Sequence, residues 1–176
     1  MGQKELLQRF VEIEHADTEK KNRQTSRNLI FKPLKEGWDR WLENLNLNYT
    51  SYVSFYQRDW PAICFTRQDI LGDEYVNGLS LKQRAGIYIW LGYGWKIHTF
   101  YLRIGCANSP YTPEECVAFR TLFKIFKNGE YDTKHDNEYR NFKQLQENFL
   151  YDFVELVKVL NAVPKEEFLK DGGDIK

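Results

Sequence analysis

Residues 85–107, AGIYIWLGYGWKIHTFYLRIGCA, constrain the fold more than any other stretch of the chain. Side chains alternate faces along a β-strand, so residues two apart share a face. The pattern predicts two strands, 85–93 and 96–105, joined by a Gly-rich turn. In the first, Ile87, Ile89 and Leu91 take one face and Gly86, Tyr88 and Trp90 the other. In the second, Phe100, Leu102 and Ile104 stand opposite Thr99, Tyr101, Arg103 and Gly105. If both apolar sets point into one core, Tyr88, Tyr101 and Arg103 meet on the reverse face. Such a face is either a site on a rigid hairpin or an ordinary sheet surface.

Length and composition narrow the classes. A chain of 176 residues with 42% hydrophobic and 16% aromatic content can bury a core, which argues against disorder. The 25 basic and 25 acidic residues cancel, so no global field draws the chain to nucleic acid or membrane, although a local patch can. Cys64, Cys106 and Cys116 form no C-x-x-C pair and read as reduced thiols. With no signal-peptide pattern and no apolar run of membrane-spanning length, the expectation is a soluble, cytoplasmic protein.

Taken in order, the spacing of Leu6, Leu7, Phe10, Val11 and Ile13 predicts a helix over residues 3–14. Six basic residues and no acid follow between positions 20 and 35: Lys20, Lys21, Arg23, Arg27, Lys32 and Lys35. That run is either a solvated face or an arm for the phosphate backbone. Pro33 opens a second helix to about residue 47, with Leu34, Trp38, Trp41, Leu42 and Leu45 as its apolar stripe. Residues 49–57 and 62–66 read as strands around the Trp60-Pro61 break, and 67–81 as a loop. After the hairpin, Thr112, Pro113 and Glu115 start a helix that runs to Lys127. A last helix is expected over 137–162, with Leu145, Phe149, Phe153, Leu156 and Leu160 inward. The expected fold is therefore α+β: a small, mainly antiparallel sheet flanked by helices. It divides into an N-terminal helical extension (1–48), the α+β domain (49–164) and a tail (165–176).

Gly86-Ile87-Tyr88 and, on the next strand, Arg103-Ile104-Gly105 resemble the two half-motifs of the GIY-YIG nuclease family. The resemblance covers about residues 85–164 and adds a downstream helix arginine, Arg120, and a late glutamate, Glu155, followed by an apolar pair and Pro164. It implies a metal-dependent DNA endonuclease, of the kind found in restriction systems, phages or mobile elements. Glu155 would hold one Mg²⁺ or Mn²⁺, a hard cation that favours oxygen ligands. Tyr88 would orient or deprotonate the attacking water, and Arg103 would favour its phenolate. Arg120 and Lys124 would stabilise charge on the phosphate oxygens, and Tyr101 lies two residues before Arg103 on the same expected face. The chain departs from the family pattern in carrying Arg103 where the second motif has its tyrosine, 15 residues after Tyr88. Lys124 takes the place of a histidine or tyrosine, and no asparagine follows Pro164 directly.

Two other readings stay open on the same residues. One is a non-catalytic phage or defence-related protein that binds a protein or nucleic-acid partner, favoured by the neutral charge and the absent tyrosine. The other is an unrelated α+β module. The first helices could also pair two copies as a homodimer. The basic run makes a prediction of its own: charge reversal across Lys20, Lys21, Arg23 and Arg27 flattens the salt dependence of DNA retention in filter binding. An unchanged slope removes the arm.

Overall fold

The computed structural model describes residues 1–17, 31–56, 60–71, 87–94, 96–106 and 137–166. The elements are α1 (Gln3–Asp17), α2 (Lys32–Asn44), β1 (Tyr49–Tyr56), β2 (Trp60–Arg67) and a single-turn α3 (Gln68–Leu71). Then come β3 (Ile87–Gly94), β4 (Thr99–Cys106), β5 (Asn137–Tyr139) and α4 (Phe142–Ala162). The fold is α+β, as expected. Five strands form one antiparallel sheet in the order β1-β2-β3-β4-β5.

The register Ile89↔Ile104 and Leu91↔Leu102 puts the two apolar sets of the hairpin on one face. Ile63 and Phe65 of β2, Tyr49 and Val53 of β1 and Tyr139 of β5 join them. This face packs against the three longer helices in one continuous core. Leu6, Leu7 and Phe10 of α1 are fully buried in it, so the N-terminal helices α1 and α2 pack into the same core as the sheet. Trp38 of α2 is the centre. Its ring lies 5.2 Å from Trp41, 5.2 Å from Phe65 and 5.6 Å from Phe149, and Phe65 meets Phe153 of α4 at 5.0 Å. Each such buried ring contributes about 1.5–3 kcal/mol of transfer free energy, with edge-to-face contacts adding to it.

Local chemistry sets the helix ends. Pro33 lies in the first turn of α2. The helix stops three residues earlier than its apolar stripe implies, because Asn46 takes a left-handed φ of 54°. The Leu47 N–H then donates to the Leu42 carbonyl and the Asn46 N–H to Glu43, a Schellman closure. At α4 the Asn141 side chain accepts from the Gln144 N–H, while the Gln144 side chain accepts from the Arg140 N–H. That cap starts the helix at Phe142, so residues 137–139 are free to be a strand. The expected helix over 137–162 is corrected accordingly. Pro61 sits inside β2 opposite Phe55, beyond the stretch of β2 that pairs with β3, so its missing N–H breaks no central ladder. The expected helix at 112–127 and the tail from 167 lie outside the described residues.

Two polar clamps hold the layers in place. Asp39 of α2 accepts hydrogen bonds from the Ser51 N–H and hydroxyl, both 2.7 Å, and from the Thr50 hydroxyl at 3.3 Å. At the far end of the core, Arg67 donates to the Leu160 and Val163 carbonyls at 3.1 and 2.5 Å and bidentately to Asp69. A guanidinium on the last carbonyls of α4 also suits the helix dipole. Hydrogen bonds from Arg67 hold the Asp69 carboxyl below its ordinary value of 3.8. The unfolded carboxyl has the higher pKa, so its contribution is present above that value and is lost as pH falls through the lower folded one. Urea denaturation at stepped pH should therefore show Asp69→Asn closest to wild type at the acid end, with the gap opening as pH rises toward about 4 and level above about 5. A gap that is constant with pH removes the ionic part of this clamp.

Candidate functional site on the sheet face

The pairings Tyr88↔Gly105, Trp90↔Arg103 and Gly92↔Tyr101 place Tyr88, Trp90, Tyr101 and Arg103 on the sheet face turned away from the three longer helices. The same face is buried along β2, at Ala62, Cys64 and Thr66. Toward β4 it opens: Tyr88, Trp90 and Tyr101 are half-buried and Arg103 is exposed.

The hairpin glycines shape this surface. A Cβ on Gly92 would lie 2.3 Å from the Trp90 indole, and one on Gly105 would lie 2.8 Å from the Tyr88 ring. Each ring therefore occupies space that any other residue would fill, and lies down along the strands. The Arg103 guanidinium sits 5.0 Å from the Trp90 ring centroid and 5.8 Å from that of Tyr101. Cation–π attraction at an exposed site is worth about 0.5–1 kcal/mol, enough to bias a long side chain toward one placement. Sequence reading took Arg103 as a cation for a phenol; the geometry gives it an indole first.

Glu138 of β5 stands opposite Tyr101, exposed on this same face. It was missed because residues 137–162 read as one helix. The Asn141 and Gln144 cap signal was the available clue, since a helix that begins at 142 frees the preceding Asn-Glu-Tyr to extend.

Glu155 goes elsewhere. It lies on α4, whose Leu145, Phe149, Phe153, Leu156 and Leu160 pack on the core face of the sheet, and Tyr139 ties that helix to β5 through Asp152 at 2.6 Å. The sheet thus separates Glu155 from Tyr88, and the expected convergence of the two is corrected. The Glu155 carboxylate accepts from Lys158 Nζ at 2.5 Å, an exposed pair that holds the Lys158 ammonium above its ordinary range. A cation held by Glu155 would stand on the core side of the sheet, across it from Tyr88. Among the described residues, no three His, Cys, Asp or Glu side chains are grouped as metal ligands.

The remaining candidates divide between two cases. Arg120, Lys124, Lys20, Lys21, Arg23 and Arg27 lie outside the described residues. Lys32 is exposed at the start of α2, whereas the Lys35 ammonium pairs with Asp39 in the clamp on β1. His98, at a left-handed φ of 50° in the hairpin turn, shares a 3.1 Å hydrogen bond with the Tyr93 hydroxyl. Cys64 is a free thiol that burial pushes well above its ordinary range, which makes it a poor nucleophile. No helix among the described residues is long and apolar enough to cross a membrane.

No protein-family model, curated protein or solved structure matches this chain.

The glycine slots give a direct check on this surface. Gly92→Ala forces the indole off the sheet and should lower stability by about 1–3 kcal/mol in chemical denaturation, with a changed near-ultraviolet circular dichroism spectrum. Gly105→Ala meets the edge of one ring only and should cost less. An unperturbed Gly92→Ala protein would contradict the placement of Trp90.

Proposed function

We propose that this chain is a nucleic-acid-binding protein without catalytic activity, with DNA as its ligand and the β3–β4 face as its contact surface. The observation that carries this reading is the exposed Arg103 guanidinium held against Trp90 and Tyr101. A planar cation on an aromatic base can pair bidentately with phosphate and stack on a base, as a lysine cannot. The basic run from Lys20 to Lys32 would add sequence-independent attraction to the backbone, with Lys35 set aside for its structural pair. The unpaired Cys64 thiol is compatible with a reducing, cytoplasmic location.

A second reading keeps phosphodiester hydrolysis of the GIY-YIG type, using a different carboxylate. Tyr88, Tyr101 and Arg103 share one face, and among the described residues Glu138 is an acid on that face. One carboxylate with a bound divalent cation and its waters is the minimum such chemistry requires.

One experiment separates the two. Supercoiled plasmid is incubated with the purified protein in Mg²⁺, Mn²⁺ or EDTA, beside Glu138→Ala, Glu155→Ala and Arg103→Ala, and binding is read in parallel by gel shift with single-stranded and duplex DNA. The binding reading expects retarded DNA, no nicking in any metal, and retardation weakened about tenfold or more by Arg103→Ala. Metal-dependent cutting abolished by Glu138→Ala would establish the hydrolytic reading instead. Cutting abolished by Glu155→Ala would overturn the placement of that residue across the sheet. Neither retardation nor cutting would end both.

A further inference from the structure

We infer that the β3–β4 face selects single-stranded nucleic acid over duplex by stacking unpaired bases. This inference rests on the binding reading above and deepens it. The relevant geometry is layered. Gly92 leaves room for the Trp90 indole against the strands, and Arg103 lies above that indole, 5.0 Å from its centroid. Gly105, the partner of Tyr88 in the same β3–β4 pair, leaves room for that ring, and Tyr101 stands 5.8 Å from the same guanidinium. Of these four residues, Arg103 is exposed and Tyr88, Trp90 and Tyr101 are half-buried.

A surface of that kind is complementary to something flat, π-rich and next to a negative charge. An unpaired nucleotide has all three properties. Its base can stack on the guanidinium plane or an adjacent ring, and its phosphate lies within reach of the same cation. A duplex keeps its base faces stacked inside the helix and offers this surface only phosphates. The neighbouring Glu138 sharpens the distinction. A carboxylate opposite Tyr101 on this face opposes a ligand recognised by phosphate charge alone, yet can accept hydrogen bonds from the amino edge of an unpaired base. The face is thus poorly matched to a backbone-only ligand and well matched to splayed bases. An acidic peptide would gain from Arg103 but would be repelled by Glu138 and carries no base to stack on the guanidinium plane.

The test is fluorescence anisotropy with labelled oligomers of about 20 nucleotides: single-stranded DNA, single-stranded RNA and the matching DNA duplex, each at two salt concentrations. Binding to either single strand should be at least about tenfold tighter than to duplex. Arg103→Ala should reduce single-strand affinity about tenfold or more, with Arg103→Lys recovering only part, because charge returns without the plane. Arg103 is exposed, and circular dichroism of each variant confirms that the fold is retained. Equal affinity for duplex and single strand, or full recovery by Arg103→Lys, would overturn this inference while leaving a DNA-binding protein in place. Failure to bind any of the three oligomers would overturn the binding reading and this inference together.

Discussion

Everything in the molecule is oriented by the contact between Trp38 and the aromatic residues around it. One indole on α2 touches Phe65 of the sheet and Phe149 of α4, while its neighbour Trp41 touches Phe149 and Phe153. Close-packed interiors resist even small changes of volume, so this junction fixes which face of the sheet is core. Once that is fixed, the two-residue repeat leaves no choice for the rest of the hairpin. A slip of one residue would bury Arg103 and expose Ile104. The Nε1–H of Trp38 has no hydrogen-bond partner, a cost the packing of this ring evidently outweighs.

Local patterns were therefore the legible part. Alternation in residues 87–106 foretold the hairpin and the shared face of Tyr88, Tyr101 and Arg103. The helical stripes foretold most of the buried residues of α2 and of α4. What escaped was either short or long-range. A three-residue strand such as β5 has too few side chains to establish a period, and its pairing with Phe100 comes from a distant part of the chain. The clamps escaped for the second reason. Nothing local to Asp39 points to the backbone of Ser51, and nothing local to Arg67 points to carbonyls more than ninety residues away.

The separation of Glu155 from Tyr88 has a related cause. A resemblance carried by an ordered set of residues specifies sequence order, and order says nothing about which side of a sheet a later helix will cover. Glu155 follows Tyr88 and Arg103 at a suitable distance along the chain. Its helix was committed to the core face by Phe149, Phe153 and Leu156, its most apolar stripe. Glycine spacing proved more informative than the motif letters themselves. Gly92 and Gly105 each accommodate an aromatic ring, which explains their presence without reference to any catalytic role.

Asp39 has a consequence for how the molecule lives among other copies of itself. An outermost strand presents backbone donors and acceptors that can recruit a strand from another chain. On the β1 side, the Ser51 N–H is already engaged by a carboxylate from α2, with the Lys35 ammonium beside it. A foreign strand would have to displace a charged side chain from a paired, part-buried position before it could form its first hydrogen bond there. The helix that builds the core thus also acts as a guard on the border of the sheet, and it discourages growth into fibrous assemblies from that side.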